Sequence, residues 1–102
     1  MTIEIQFVKT ETSDSISAYV TQRLESLYTK YENLIRANVI LKQENESGRE
    51  EKNCSIELSL PGPRIFASST KSSYEAAVKK TIEELVKQLK KRKTITLKTI
   101  NK

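Results

Sequence analysis

Residues 54–70 read "CSIELSLPGPRIFASST". Cys54, Ile56, Leu58 and Leu60 alternate with Ser55, Glu57 and Ser59, the period of two that marks a strand with one buried face. Cys54 sits in the apolar phase, which fits a buried structural thiol. In "LPGPR" (60–64) Pro and Gly take the second and third positions of a tight turn. That suits a type II geometry, because Gly tolerates a positive φ. "RIFASST" (64–70) resumes the extended pattern, so the stretch predicts a β-hairpin.

Upstream, "RANVILK" (36–42) places Ala37, Val39 and Leu41 on one face and predicts another strand. "QENESGREEKN" (43–53) is polar, charged and carries Gly48, so it is expected to be a loop. "TIEIQFV" (2–8) alternates Ile3, Ile5 and Phe7 with Glu4 and Gln6, a half-buried first strand. Between these runs, Ile16, Val20, Leu24, Leu27, Tyr31 and Leu34 recur in steps of three and four. They predict one helix of about five turns, capped by Ser13 or Asp14. Tyr19, Arg23 and Lys30 fall along one flank of that stripe; packing of its aliphatic stem would account for Arg23 equally well.

Downstream, Ser72 followed by Glu75 reads as a capping box. Tyr74, Val78, Ile82, Leu85 and Leu89 form the stripe of a second helix expected to end near Lys91. "TITLKTINK" (94–102) has β-propensity without an obvious partner; it is either a disordered tail or a strand for another chain. The order is therefore β-α-β-β-β-α. The expected fold is a two-layer α+β domain, a four-stranded sheet with two helices on one face, spanning residues 1–93 with a tail at 94–102. If the first two strands are adjacent and parallel, the crossover between them is right-handed.

The chain has 102 residues, two Gly, two Pro, one Cys and no His. His-based catalysis and His ligation are excluded, one Cys cannot build a zinc site, and no Gly-rich phosphate loop is present. Glu50–Glu51 and Glu83–Glu84 look solvent-facing, so no acid/base pair is organised. We expect no enzyme activity and no cofactor. No apolar run is long enough to span a membrane and the N-terminus lacks signal-peptide character, so a cytoplasmic protein is expected.

The net charge of +5 is unevenly placed: residues 71–102 carry +7 and residues 1–70 carry −2. Lys79, Lys80, Lys87, Lys90 and Lys91 share the solvent side of the second helix, broken mainly by Glu83, with Glu83–Lys87 as an i,i+4 pair. Arg92 and Lys93 lie at the helix end, where capping of the helix dipole competes with ligand binding as their explanation. Base-stacking aromatics on the sheet are absent from this pattern, so readout through shape and phosphates fits a polyanion partner best.

The runs "YENLIRANVILKQE" (31–44), "CSIELSLPGPRIFASS" (54–69) and "SSYEAAVKKTIEELVKQLKKRK" (72–93) resemble the ribosome hibernation-promoting factors, also called ribosome-associated inhibitors. The resemblance covers about residues 3–93. It implies a fold similar to double-stranded RNA-binding domains and binding to small-subunit rRNA of the ribosome, in the channel for mRNA and anticodon stems. The implied RNA-binding residues are Arg23 and Lys30 on the first helix and Lys87, Lys91, Arg92 and Lys93 on the second. Lys79, Lys80 and Lys90 extend the patch. Ser73-Tyr74-Glu75 stands where many members have Asp-Met-Tyr, and Lys79 where an acid is common. The resemblance implies translation inhibition under stress or in stationary phase, with no small-molecule substrate and no membrane. The protein would be a monomer when free, and any ribosome pairing would need another factor, since the domain that pairs ribosomes in long members has no counterpart here. The alternatives are a general structured-RNA-binding domain and a protein–protein regulator of transcription.

Overall fold

The computed structural model describes the backbone of residues 1–46 and 48–100, and the side chains of these apart from 46, 49 and 93–100. The elements are β1 (Thr2–Val8), α1 (Asp14–Lys30), β2 (Arg36–Glu46), β3 (Arg49–Ser59), β4 (Ile65–Lys71) and α2 (Tyr74–Ile100). One sheet holds the strands in the order β1-β2-β3-β4. β1 runs parallel to β2, which makes α1 the crossover helix, and the other two pairings are antiparallel. The expected α+β architecture is the observed one.

The alternation read from the strands sets the layers. Ala37, Val39, Leu41, Cys54, Ile56, Leu58, Ile65 and Ala67 are buried in one core with Ile16, Val20, Leu24 and Leu27 of α1 and Ala77, Val78, Ile82, Leu85 and Leu89 of α2. Ile3, Ile5 and Phe7 of the edge strand β1 are half-buried against it. The other sheet face carries Asn38, Ser55, Glu57, Ser68 and Thr70 and is open to solvent. Ser13 caps α1, its hydroxyl accepting from the Ile16 N–H at 3.3 Å.

Five local expectations differ from the structure. α1 stops at Lys30, where the Tyr31 N–H bonds the Leu27 carbonyl; Leu34 is buried from the turn that follows, so the stripe outlasts the helix. "QENESGREEKN" is no loop: Gln43 pairs with Lys52, Glu44 with Glu51 and Asn45 with Glu50, and the hairpin turns around Gly48 at φ +74. This extension is wet on both faces, so nothing forces an apolar alternation onto it. The link from β3 to β4 is five residues long, Leu60–Arg64, rather than a tight turn, although Gly62 does take the positive φ (+91) that Pro-Gly suggests. Ser73, not Ser72, caps α2, accepting from the Ala76 N–H at 3.2 Å, because β4 keeps the chain extended to Lys71. α2 runs to Ile100 rather than ending near Lys91: once nucleated, a helix gains a hydrogen bond for each residue added, even through weak formers. Residues 101 and 102 lie outside the described residues.

One buried polar group escapes the apolar pattern. Thr81 is fully buried on α2, its hydroxyl 2.8 Å from the Ala77 carbonyl oxygen and 3.1 Å from that of Cys54 in β3. Its single hydrogen is shared between the two acceptors, tying helix to strand. Beneath it, burial pushes the Cys54 thiol up from 9.0 to about 11, a hydrogen bond with Thr81 offsetting this in part.

Thr81→Val keeps the shape and removes the donor; urea denaturation should show a loss of about 1 kcal/mol at unchanged m-value. The raised thiol pKa means that the folded state holds this proton more tightly than the unfolded state. That contribution is fully present below about pH 9 and disappears as pH rises through about 11. The stability difference between the wild type and Cys54→Ala should therefore shrink over that window, measured by urea denaturation at stepped pH.

Candidate nucleic-acid interface

The cations expected to bind do not form one band. With about 100° per residue, α2 presents Val86 and Lys90 toward α1, with Lys79 on the same flank, whereas Lys80, Glu84, Lys87 and Lys91 lie on the opposite flank beyond Gln88. The contacts agree with this rotation. Lys90 lines a cleft between the helices with Arg23, Ser26, Leu27, Lys30, Tyr31, Ile82 and Val86. Gln88 points the other way and donates to the Phe66 carbonyl of β4 at 2.8 Å.

The inter-helix cleft gathers three of the expected residues from two elements: Arg23, half-buried, and the exposed Lys30 and Lys90. Lys30 and Tyr31 also border an adjoining hollow, shared with Leu60, Pro61, Leu89 and Arg92. Both hollows lie where α1 ends and α2 passes the β3–β4 link. Three cations in a cleft floored by apolar side chains make a suitable bed for a phosphate chain.

On the outer flank the charges are partly answered. Glu84 takes Lys80 at 3.2 Å and Lys87 at 3.3 Å. Hydrogen bonds from Lys80 and then Lys87 hold its carboxyl below the ordinary carboxylate value. The expected Glu83–Lys87 pair does not form, because Glu84 stands within reach of both lysines while Glu83 turns toward the α1 flank. Lys79 and Lys91 are exposed and enter no ion pair among the described residues. The Lys93 side chain lies outside the described residues.

Arg92 is held in a way the sequence does not reveal. Its Nη1 donates to the Pro63 carbonyl at 2.5 Å and its Nη2 to the Pro61 carbonyl at 2.7 Å. The guanidinium fills the curve of the "PGP" link so closely that a Cβ on Gly62 would collide with Nη2. Two donors of the fork are thus committed to backbone 29 and 31 residues away. Helical periodicity puts Arg92 one turn beyond Leu89 on the buried side of α2, but it does not name the Pro-Gly-Pro link as the partner.

The open sheet face is different in kind. Its Arg36 is paired with Glu4 and Arg64 with Glu57. Asn53, Ser55, Ser68 and Thr70 bond one another across β3 and β4. Phe66, 56% exposed, is the only ring on this face among the described residues, and the sequence pattern passes over it. One ring beside Glu57 and Glu4 does not make the cationic, multi-ring platform on which single strands stack. Two further cations outside the expected set, Lys52 and Lys71, lie at the far end of the helix side. No group of three or more His, Cys, Asp or Glu placed to hold a metal ion occurs among the described residues.

Arg92→Lys keeps the charge and loses the fork. We expect it to cost about 1 kcal/mol of stability in urea denaturation, whereas Lys91→Gln should stay within about 0.5 kcal/mol of the wild type.

No curated protein sequence matches the chain. Among solved structures, it is similar to a ribosomal subunit interface protein from Coxiella burnetii, with 18% identity and a TM-score of 0.83 over 92% of this chain and 99% of that one. It is also similar to the N-terminal domain of Protein Y from Thermus thermophilus, with 24% identity and a TM-score of 0.74 over 89% and 98% of the two chains. These likenesses concern the fold. The model of one family matches residues 3–96, nearly the whole length, and the family is the one to which the resemblance in the sequence pointed. The chain belongs to the family described as Sigma 54 modulation protein / S30EA ribosomal protein.

Proposed function

We propose that this protein is a non-enzymatic ribosome-associated translation inhibitor of the hibernation type. It binds small-subunit rRNA in the channel for mRNA and anticodon stems and blocks initiation under stress or in stationary phase. The observation that carries this reading is the convergence of Arg23, Lys30 and Lys90 from two helices on one cleft, while Arg36 and Arg64 of the open sheet face are answered by Glu4 and Glu57. Membership of a family whose description names a ribosomal protein supports the choice of partner. So does the likeness to a protein named for the subunit interface.

The mechanism is electrostatic and steric. Lys79, Lys80, Lys87, Lys90 and Lys91 span about 12 residues of helix, roughly 18 Å at 1.5 Å per residue, enough to follow several phosphates. Each phosphate neutralised releases counterions, which drives binding. Lys80 and Lys87 exchange Glu84 for phosphate. The rigid two-layer body then occupies space that mRNA and initiator tRNA would need. No cofactor takes part. The protein works in the cytoplasm as a monomer when free, and any pairing of ribosomes comes through another factor. No helix among the described residues is long and apolar enough to cross a membrane.

The words "Sigma 54 modulation" in the family description favour one rival, a protein–protein regulator of transcription. Sedimentation of the protein with ribosomes through a gradient separates the readings. Co-migration with the small subunit supports ours; nuclease-insensitive retention on a protein partner without co-migration supports the rival. Equal competition by unrelated duplex RNA would instead mark a general structured-RNA binder.

For about five neutralised phosphates, log K should fall with log salt at a slope of roughly −3.5 to −4.5, and a slope near zero would refute the electrostatic account. Lys87→Glu combined with Lys91→Glu should weaken ribosome binding and leave the unfolding transition in place, since both side chains are exposed. Full inhibition of translation by that variant would count against α2 as the grip.

A further inference from the structure

We propose that Lys52 and Lys71 form a second phosphate-binding point, through which the sheet itself holds the RNA at the end where α2 begins. This rests on the reading of the protein as an RNA binder and extends it to residues outside the helices.

Lys52 and Lys71 are directly opposite each other in the β3–β4 register. Like charges so placed in an antiparallel pair repel and weaken the sheet. Ordinarily a carboxylate nearby would offset this. Here Lys52 faces the neutral Gln43 across β2–β3 and donates to its Oε1 at 2.8 Å. Its Nζ also stands 5.4 Å from the centroid of the Tyr74 ring, which holds the charge in place without cancelling it. Neither lysine takes part in an ion pair among the described residues. Glu50 lies on the same side of the hairpin and Glu75 in the first turn of α2, but neither pairs with them. Glu51, next in sequence to Lys52, faces the opposite side of the sheet against Glu44.

The result is two adjacent cations, one pre-positioned and the other exposed, with no counter-ion among the described residues. A departure from local charge pairing of this kind is what a binding site for an external anion requires. The pair is also continuous with the interface already described. The contact of Lys52 with Tyr74 puts it beside the first turn of α2. Lys79 and Lys80 follow five and six residues later, roughly 8–9 Å along the axis at 1.5 Å per residue. A nucleic-acid backbone following the outer flank of α2 from Lys91 through Lys87 to Lys80 meets Lys71 and Lys52 next.

The test is the salt dependence of binding to small ribosomal subunits, measured by co-sedimentation. Lys71→Gln should reduce the magnitude of the log K–log salt slope by about 0.7–0.9, and Lys52→Gln with Lys71→Gln by about 1.4–1.8. Lys42→Gln removes one charge from the other sheet face, where Lys42 alternates with the buried Leu41, and should leave the slope at the wild-type value. Lys52 packs on a ring, so Lys71→Gln alone, at an exposed strand end, guards against a folding defect, and thermal unfolding is followed for every variant. A wild-type slope for both Lys71 variants, alongside normal wild-type binding, overturns the inference and leaves the proposed function standing. Absence of salt-dependent binding by the wild type overturns both.

Discussion

α2 is fastened to the sheet at three heights by three polar side chains on one of its faces. Thr81 shares its hydroxyl with the Cys54 carbonyl, Gln88 donates to the Phe66 carbonyl, and Arg92 grips the link between Pro61 and Pro63. The spacing of seven and four keeps all three on the sheet side of the helix. Apolar packing by itself would allow small rotations of a helix rich in similar side chains. Directional bonds to strand and link backbone do not, because each would leave a polar group unpaired. The rotation of α2 is thereby set, and with it the flank on which each lysine stands.

How much of this is legible in sequence depends on whether burial leaves a pattern. The alternation from Cys54 to Leu60 and the stripes Ile16–Leu27 and Val78–Leu89 report the core directly, because a buried position is apolar unless, like Thr81, it finds a hydrogen-bond partner. The β2–β3 extension leaves no pattern in the sequence, because solvent on both faces imposes no alternation. The Ser73 cap differs from Ser72 by one residue, and two adjacent serines offer the same chemistry. In the sequence the nine expected binding residues are a set of charges, and the structure sorts them by neighbour. Arg23, Lys30 and Lys90 share a cleft, Lys80 and Lys87 share Glu84, and Arg92 serves a link some thirty residues away. That sorting depends on tertiary neighbours, which no periodicity encodes. Lys52 carries no signal of its own for the same reason as the hairpin that holds it.

The two layers divide the electrostatic work. On the open sheet face Arg36 and Arg64 are matched at short range by Glu4 and Glu57, and Glu44 and Glu51 of the hairpin add negative charge, so that face presents little positive field. On the helix side the matching is incomplete: Glu84 serves two lysines at once, while Lys79 and Lys91 have no ion-pair partner among the described residues. A surface of this kind costs little stability, since exposed like charges are well screened, yet it keeps a positive potential facing outward.

The β2–β3 hairpin extends past the helices at the end where both of them begin, and it carries Glu44 opposite Glu51 with Glu50 beside them. Lys30, Lys90, Lys91 and Arg92 stand at the other end. The carboxylates of the hairpin are thus held a sheet's length from the cations of the helix ends and cannot neutralise them at short range. Those cations keep their pull on a polyanion before any contact is made, and the separation contributes to the rate of capture rather than to its final strength.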